Sequence, residues 1–373
     1  MSDFFNFLLN GLSLGAIYAL IAIGYTMVYG IIKLINFAHG EFYMFGAYMG
    51  FAILTGLFSV APSGGEPGFA VLLATMILAG LATAVLAVVV ERLCYRPLRN
   101  AGRIIALLAA LGVSLFLQNA GQQTVGADYR KFPPTIADER FPREEIALEA
   151  LQPGDVPPRN VILTYSLTAS DGRPQRRSAT VAQAGKPVSA EDLAAARALA
   201  AASVLPAKAY SYGKVTVGTK QALIVLVLLV VAAALYLLVH HTRFGKAMRA
   251  VSVDFETAQL MGIHVDRIVS GTFFVGAFVA GLGGVLAGGM YYERIDPLMG
   301  LMPGLKAFVA AVLGGIGSIP GAILGALILG VSEKMVEAYL SSGLRDALAF
   351  GILILVLLIK PSGILGKFEG EKV

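Results

Sequence analysis

Uncharged stretches of about twenty residues and more recur along this chain, and they constrain its fold more than any other feature. Phe4 to Ile32 contains no Asp, Glu, Lys or Arg. At 1.5 Å per residue, such a stretch is long enough to cross the ~30 Å hydrocarbon core of a bilayer as a helix. Hydrophobic residues make up 57% of the 373 and charged residues 14%, and the mean hydropathy is +0.74. A water-soluble domain would carry nearer a quarter charged residues. The composition therefore predicts an all-α polytopic membrane protein.

Taken in order, the apolar segments predict spans at 4–32, 36–58, 70–90, 104–121, 223–239, 268–291, 305–315, 322–331 and 347–359. The count is nine, or eight if the two around Gly317-Ser318-Ile319-Pro320-Gly321 form one kinked span. The start has no positive n-region or small-residue cleavage site, which predicts an uncleaved first span. PSGGEPG, Pro62 to Gly68, reads as a turn-rich loop, and Lys334 to Tyr339 reads as a short amphipathic segment before the last span. The organisation expected is 1–121 with spans one to four, 122–217 as an inserted domain, and 218–373 with the remaining spans.

The insertion stands apart in composition, with 12 basic and 10 acidic residues and nine of the chain's 16 prolines. Val161 to Ala169 and Gln175 to Ala182, joined at Ser170-Asp171-Gly172, read as a β-hairpin. Ser189 reads as the cap of an alanine-rich helix reaching about Ala202. A small α+β unit outside the membrane is expected.

Charge in the short loops predicts orientation. Lys33, the Arg92 to Arg103 loop, the Arg243 to Arg267 loop and the tail hold twelve Lys/Arg. The opposite short loops hold four, Arg294, Lys306, Lys334 and Arg345. The positive-inside rule places the first set in the cytoplasm, leaving the N-terminus and the insertion outside and the C-terminus inside. The basic balance thus reports membrane topology rather than nucleic acid. Cys94, the single cysteine, offers no internal disulfide.

Three constellations could carry function. The polar stretch His240 to Arg267 contains E-T-A-x-x-x-G, from Glu256 to Gly262. Ser252 or Asp254 can cap a short helix there, at about 252–263. Ala258 and Gly262, four apart, would give that helix a small edge for close approach by another protein. An ordinary loop with a surface helix is the alternative.

Span two opens Asn36-Phe37-Ala38-His39-Gly40-Glu41. A carboxylate just inside a span is a functional candidate, so Asn36, His39 and Glu41 are candidate pathway or gate residues. The alternative is a helix start with Asn36 as its cap and Glu41 at the positive end. Lastly, Gly276, Ala280, Gly284 and Gly288 recur every fourth residue, as do Gly321 and Gly325. That is the small-residue spacing of close helix packing in lipid.

The chain has no G-x-x-x-x-G-K-[ST] phosphate loop, and its four histidines lack metal-ligand spacing. No Ser/His/Asp or Cys/His motif stands out. An enzyme is therefore the weakest class, with no cofactor or metal expected. A secondary carrier would show broken helices with ionisable residues near the midplane of both halves, and only Glu41, near a span end, suggests itself.

With these residues in view, the chain resembles the LivH-type permease subunit of the branched-chain amino acid ABC transporter family. The resemblance rests on NGLSLGAIYALIAIGYTMVYGIIKLINFAHGEFYMFGAYMG (Asn10 to Gly50), TRFGKAMRAVSVDFETAQLMGI (Thr242 to Ile263) and GTFFVGAFVAGLGGVLAGG (Gly271 to Gly289). GLKAFVAAVLGGIGSIPGAILGALILG (Gly304 to Gly330) and KPSGILG (Lys360 to Gly366) extend it to about three quarters of the chain. The insertion, about 133–207, is longer than the family loop.

The resemblance implies a bacterial inner-membrane importer subunit with no ATPase site of its own. Its implied partners are a homologous second permease, in a heterodimer, two cytoplasmic ATPase subunits that bind the ATP, a periplasmic substrate-binding protein and the membrane lipid. Glu256, Ala258 and Gly262 would belong to the coupling helix, with Arg249 and Asp254 on its flanks. Branched-chain amino acids are the implied cargo; urea or short amides in the same family, or a stand-alone secondary transporter, are the alternatives.

Overall fold

The computed structural model describes residues 2–33, 36–61, 67–98, 103–136, 138–157, 159–168, 174–183 and 186–366. Most of the PSGGEPG loop, Arg99, the Ser170 to Gly172 turn, and Lys367 and Lys372 lie outside the described residues. The helices, in chain order, are α1 (Ser2–Ile32), α2 (His39–Ala52), α3 (Phe69–Val90), α4 (Arg103–Val125), α5 (Ala190–Ala201) and α6 (Thr219–His241). They continue with α7 (Arg243–Val253), α8 (Phe255–Leu260), α9 (Val265–Leu286), α10 (Leu301–Gly314), α11 (Ile319–Tyr339) and α12 (Arg345–Ile359).

Among the described residues, seven helical stretches are long and apolar enough to cross a membrane: α1, α3, α4, α6, α9, α11, and α12 together with the 3-10 turn before it, Ser342–Ile359. Lipid offers no partner for a free backbone N–H or C=O, so each crossing closes its own hydrogen bonds as a helix. α2 runs on without a break through a π-helical segment, Ile53–Leu57, so the predicted span two is a helix of 19 residues; the predicted span seven differs, because α10 has only 14 residues. That is about 21 Å, two thirds of a hydrocarbon core. A hydropathy window reports apolar composition but not the depth at which the chain turns.

The single-kinked-span alternative is also excluded. A Cβ on Gly314 would meet Gly321 O at 1.8 Å, and one on Gly325 would meet Ala310 O at 2.2 Å. Residues 314 and 321, and 310 and 325, therefore face each other, and α10 and α11 form an antiparallel hairpin. Lys334 to Tyr339 is not a separate segment but the last turns of α11.

Helix α1 is the axis of the bundle, with Ala16 to Ile23 almost wholly buried. Its Gly11 and Gly15 lie against the backbone of α11 at Val331 and Leu327. Around it pack α9, α10 and α11, while α4, α6 and α12 leave Phe116, Leu229 and Leu358 exposed. Apolar surface of that kind is what a lipid-facing helix presents. The KPSGILG segment turns back on α10: Ile364 N donates to Leu313 O at 2.8 Å and Leu365 N to Gly314 O at 2.9 Å. These bonds satisfy carbonyls that the helix end leaves free.

The insertion holds strands β1 (Arg130–Lys131), β2 (Arg140–Ile146), β3 (Asn160–Thr168), β4 (Pro174–Ala182) and β5 (Lys208–Gly218). β3 and β4 pair antiparallel from Val161↔Ala182 to Thr168↔Pro174. β2 and β5 complete a sheet of order β2-β5-β3-β4, a pairing the local pattern did not reveal. Ser189 caps α5, its side chain accepting from Glu191 N at 3.2 Å. Leu151, Val161, Leu163, Val181, Leu193 and Ala209 form a core of the insertion's own.

β1 pairs with β6 (Arg294–Ile295), so the chain leaving α4 is stitched to the segment that follows α9. Phe132 then enters the bundle, where a Cβ on Gly288 or Gly289 would lie 3.1 or 3.0 Å from its ring.

Candidate functional site

Two helices begin face to face inside the bundle. His39, the first residue of α2, packs on Gly24 of α1, where a Cβ would lie 2.0 Å from His39 Nε2 and 3.0 Å from Gly276 O. At 1.5 Å per residue, Gly24 is about 12 Å from the end of α1 and Gly276 about 16 Å along α9. α2 therefore starts well inside the bundle, and Glu41 is near a helix end but not near the end of the bundle.

From there α2 runs parallel to α9, with Gly46 against Gly281 and Gly50 against Val285. α10 starts at the same level and runs the opposite way. A Cβ on Gly300 would lie 2.6 Å from Gly40 O, and one on Gly304 would lie 2.8 Å from Gly40 Cα. Gly40, Gly300 and Gly304 thus let the two N-termini meet backbone to backbone.

Each helix N-terminus carries roughly half a positive charge. Two such ends facing each other call for a counter-charge, which Glu41 is placed to provide. Its side chain is buried; Ser114 Oγ donates to Oε1 at 3.0 Å and Gln118 Nε2 at 2.7 Å. Oε2 lies 2.8 Å from where a Cβ on Gly300 would sit. Among the described residues, Glu41 Oε2, His39 Nε2 and Asn36 Nδ2 are buried without a hydrogen-bond partner. Asn36 instead uses its oxygen, which accepts from Ala38 N at 3.1 Å and from Tyr95 Oη at 2.6 Å.

At the end of the bundle reached by α6, remote from the insertion, sits α8. Asp254 Oδ1 accepts from Glu256 N at 2.9 Å and Thr257 N at 3.1 Å, while Thr257 Oγ1 donates to Oδ2 at 2.6 Å. These bonds hold the exposed Asp254 carboxyl below its usual range, the Thr257 hydroxyl contributing most. Ser252, the other candidate cap, donates to Arg249 O instead.

The expected small-residue edge of this helix is absent. α8 ends at Leu260, and Gly262 terminates it at φ +82°. Ile263 N donates to Ala258 O and Gly262 N to Gln259 O, the paired bonds of a glycine-terminated helix. Ala258 is buried, whereas Val253, Leu260 and Met261 are 86%, 87% and 79% exposed. Arg249 and Glu256 are also exposed. α8 therefore offers polar Glu256, Thr257 and Gln259 along its length and the long apolar chains of Leu260 and Met261 at its end, rather than a small edge.

The glycine series divides by partner. Gly276 faces Gly24 of α1, Ala280 is fully buried, and Gly284 meets α2 at Tyr43 O, 2.1 Å from a Cβ. Gly321 and Gly325 close the α10–α11 hairpin. Gly288 faces Phe132 and Ile295 rather than another helix.

The family described as Branched-chain amino acid transport system / permease component matches residues 7–357. The high-affinity branched-chain amino acid transport permease protein LivH of Escherichia coli K12 is 39% identical over 370 residues, 99% of this chain and 98% of its own. BraD of Pseudomonas aeruginosa, a permease protein of the same description, is 37% identical over 366 residues, 98% and 97% of the two chains. This chain belongs to that permease family. A probable LivH of Methanocaldococcus jannaschii is 34% identical over 147 residues, 38% of this chain and 46% of that one. No solved structure matches.

Seen as a permease, the molecule holds a second polar cluster that its sequence did not announce. Lys306, counted above among outer-loop charges, is buried in α10. Its Nζ lies 2.6 Å from Glu333 Oε1 and 2.7 Å from Asp346 Oδ1. Tyr18 Oη donates to Glu333 Oε2 at 3.0 Å. The signal was a lysine inside an otherwise apolar helix, where it costs several kcal/mol unless paired. Glu41 is thus one of several buried ionisable groups.

Proposed function

We propose that this chain is one permease of an ATP-driven importer of branched-chain amino acids in a bacterial inner membrane. The insertion and N-terminus face outward, and the C-terminus and α7–α8 face the cytoplasm. The cargo follows that of the near-full-length relatives, both named as branched-chain amino acid permeases. The observation that carries the drive mechanism is α8, a capped helix at the bundle end whose Leu260 and Met261 stand almost fully in the open.

An exposed apolar tip on a capped, glycine-terminated helix fits a pocket on a separate ATPase subunit, which binds the ATP. α8 is followed directly by α9, and α9 packs on α1, α2 and α3. Displacing α8 therefore moves the helix that lies along α2. The α2/α10 junction is the gate in this reading, with His39, Glu41 and Asn36 at its hinge. A second permease and an external binding protein complete the assembly. With α2 and α10 each carrying the chain across once, membrane crossings number nine, the odd count that termini on opposite sides require.

Two experiments test the reading. Co-purification should recover two ATPase chains and a second permease, and Leu260→Asp should release the ATPases without lowering Tm. Leucine uptake by the assembled transporter should fall at least tenfold in His39→Ala and Glu41→Gln at normal expression. A solitary chain that transports leucine would sink the first claim, and unchanged uptake in both variants the second.

A further inference from the structure

The Lys306 cluster borders a cavity of about 250 Å³ at the insertion end of the bundle, below the ~300–1,000 Å³ usual for drug-sized ligands. Its lining carries three cations, Arg294, Lys306 and Arg345, and three anions, Asp296, Glu333 and Asp346. Charge is therefore balanced but not fully paired within the cavity. Lys306 is shared between Glu333 and Asp346, which leaves that triad one negative charge in excess. Arg294, by contrast, has no ion-pair partner among the described residues; its guanidinium carbon lies 5.9 Å over the Tyr129 ring.

The remaining wall is apolar, formed by Leu298, Met299, Met302 and Pro303. Pro303 and Met302 belong to the first turn of α10, whose Gly300 and Gly304 meet Gly40 at the junction. The cavity thus stands beside the α2/α10 gate, and Leu298 and Met302, half-exposed, line its way out.

We propose that this cavity is a subsite for a zwitterionic amino acid with an aliphatic side chain, occupied before the α2/α10 junction opens. It rests on the transport reading given above. The substrate ammonium neutralises the excess carboxylate of the Lys306–Glu333–Asp346 triad, and Arg294 takes the carboxylate. The side chain lies on Met299, Met302 and Pro303. A pocket of small volume with equal numbers of both signs on one side and thioether and aliphatic carbon on the other suits that class. It suits neither a sugar, which brings no charge, nor an amide.

The test places one thiol in the cavity. In a Cys94→Ser background, M302C is made in the full chain within the assembled transporter, and its alkylation by N-ethylmaleimide is timed in membranes. L-leucine should slow the reaction at least fivefold, while leucinol, lacking the carboxylate, and 4-methyl-2-oxopentanoate, lacking the ammonium, should not. Arg294→Gln and Asp346→Asn alter exposed side chains and leave the buried Lys306–Glu333 pair intact. Each should raise the leucine concentration needed for protection at least tenfold. An alkylation rate indifferent to leucine, in a complex that imports leucine, overturns the subsite alone. Equal protection by leucinol does the same. Failure of the wild-type complex to import leucine overturns the transport reading and this proposal with it.

Discussion

Single side chains decide how firmly the two ends of this molecule are set. Asp254 caps α8 as a carboxylate, and its folded pKa lies below the ordinary Asp value of about 3.9. A depressed pKa means that the cap's contribution is fully present above the unfolded value and is lost only as pH falls through the lower folded one. Hydrogen exchange at the Glu256 and Thr257 amides, corrected for intrinsic rate, should therefore be flat from pH 7 to pH 5 and accelerate only in stronger acid. Asp254→Ala should show the accelerated rate at every pH. At Lys306 the stakes are higher, because Lys306→Met leaves Glu333 charged, buried and, among the described residues, held only by Tyr18. Breaking a buried pair in this way costs about 3–5 kcal/mol. Tyr18→Phe removes one hydrogen bond to a charged group, about 1.5–3 kcal/mol. Thermal unfolding of the full chain in detergent should rank the two in that order.

At the scale of elements, backbone-to-backbone contact explains where glycine is needed and where it is incidental. A Cβ on Gly284 would lie 2.1 Å from Tyr43 O and 2.7 Å from Ala47 N, both on α2. Backbone atoms cannot rotate aside as a side chain can, so Gly284→Ala should cost at least the ~1–3 kcal/mol of overpacking. Gly112 in α4 and Gly351 in α12 have nothing within 4 Å of an added Cβ. Gly112→Ala and Gly351→Ala should leave Tm unchanged or slightly raised, alanine being the better helix former. Thermal scans of all three variants check the contrast. The fourfold spacing of Gly276, Ala280 and Gly284 could be read in the sequence; that Gly288 accommodates the Phe132 ring could not, because its partner is 156 positions earlier in the chain.

For the whole molecule, the insertion and the bundle have separate apolar cores. They are linked by β5, whose Thr216 N donates to Asn6 Oδ1 of α1 at 3.2 Å, and by the short stretch with β1, Phe132 and Thr135, whose hydroxyl donates to Gly289 O at 3.2 Å. Replacing residues 147–207 by a short Asn-Gly turn joins β2 to β5, which already pair at Ile146↔Ala209. That deletion should leave the unfolding temperature of the bundle within a few degrees of the full chain. Phe132→Ala, in contrast, opens a cavity against Gly288 and Gly289 and should cost about 3–5 kcal/mol. Differential scanning fluorimetry on both variants separates the two expectations.

What the sequence determined by itself is whatever depends on neighbours along the chain. Apolar length made α1, α3, α4, α6, α9, α11 and α12 legible as membrane helices, alternation marked β3 and β4, and local capping chemistry marked Ser189 and Asp254. Tertiary structure decided where helices start in depth and which distant groups meet. Glu41 is legible as an intramembrane carboxylate, but its Ser114 and Gln118 partners lie more than seventy residues away. Lys306 looks like a loop charge until α11 and α12 bring Glu333 and Asp346 to it. The physical reason is the same in each case: burial and charge pairing are set by helices packed side by side, and a hydropathy profile contains no information about which helices those are.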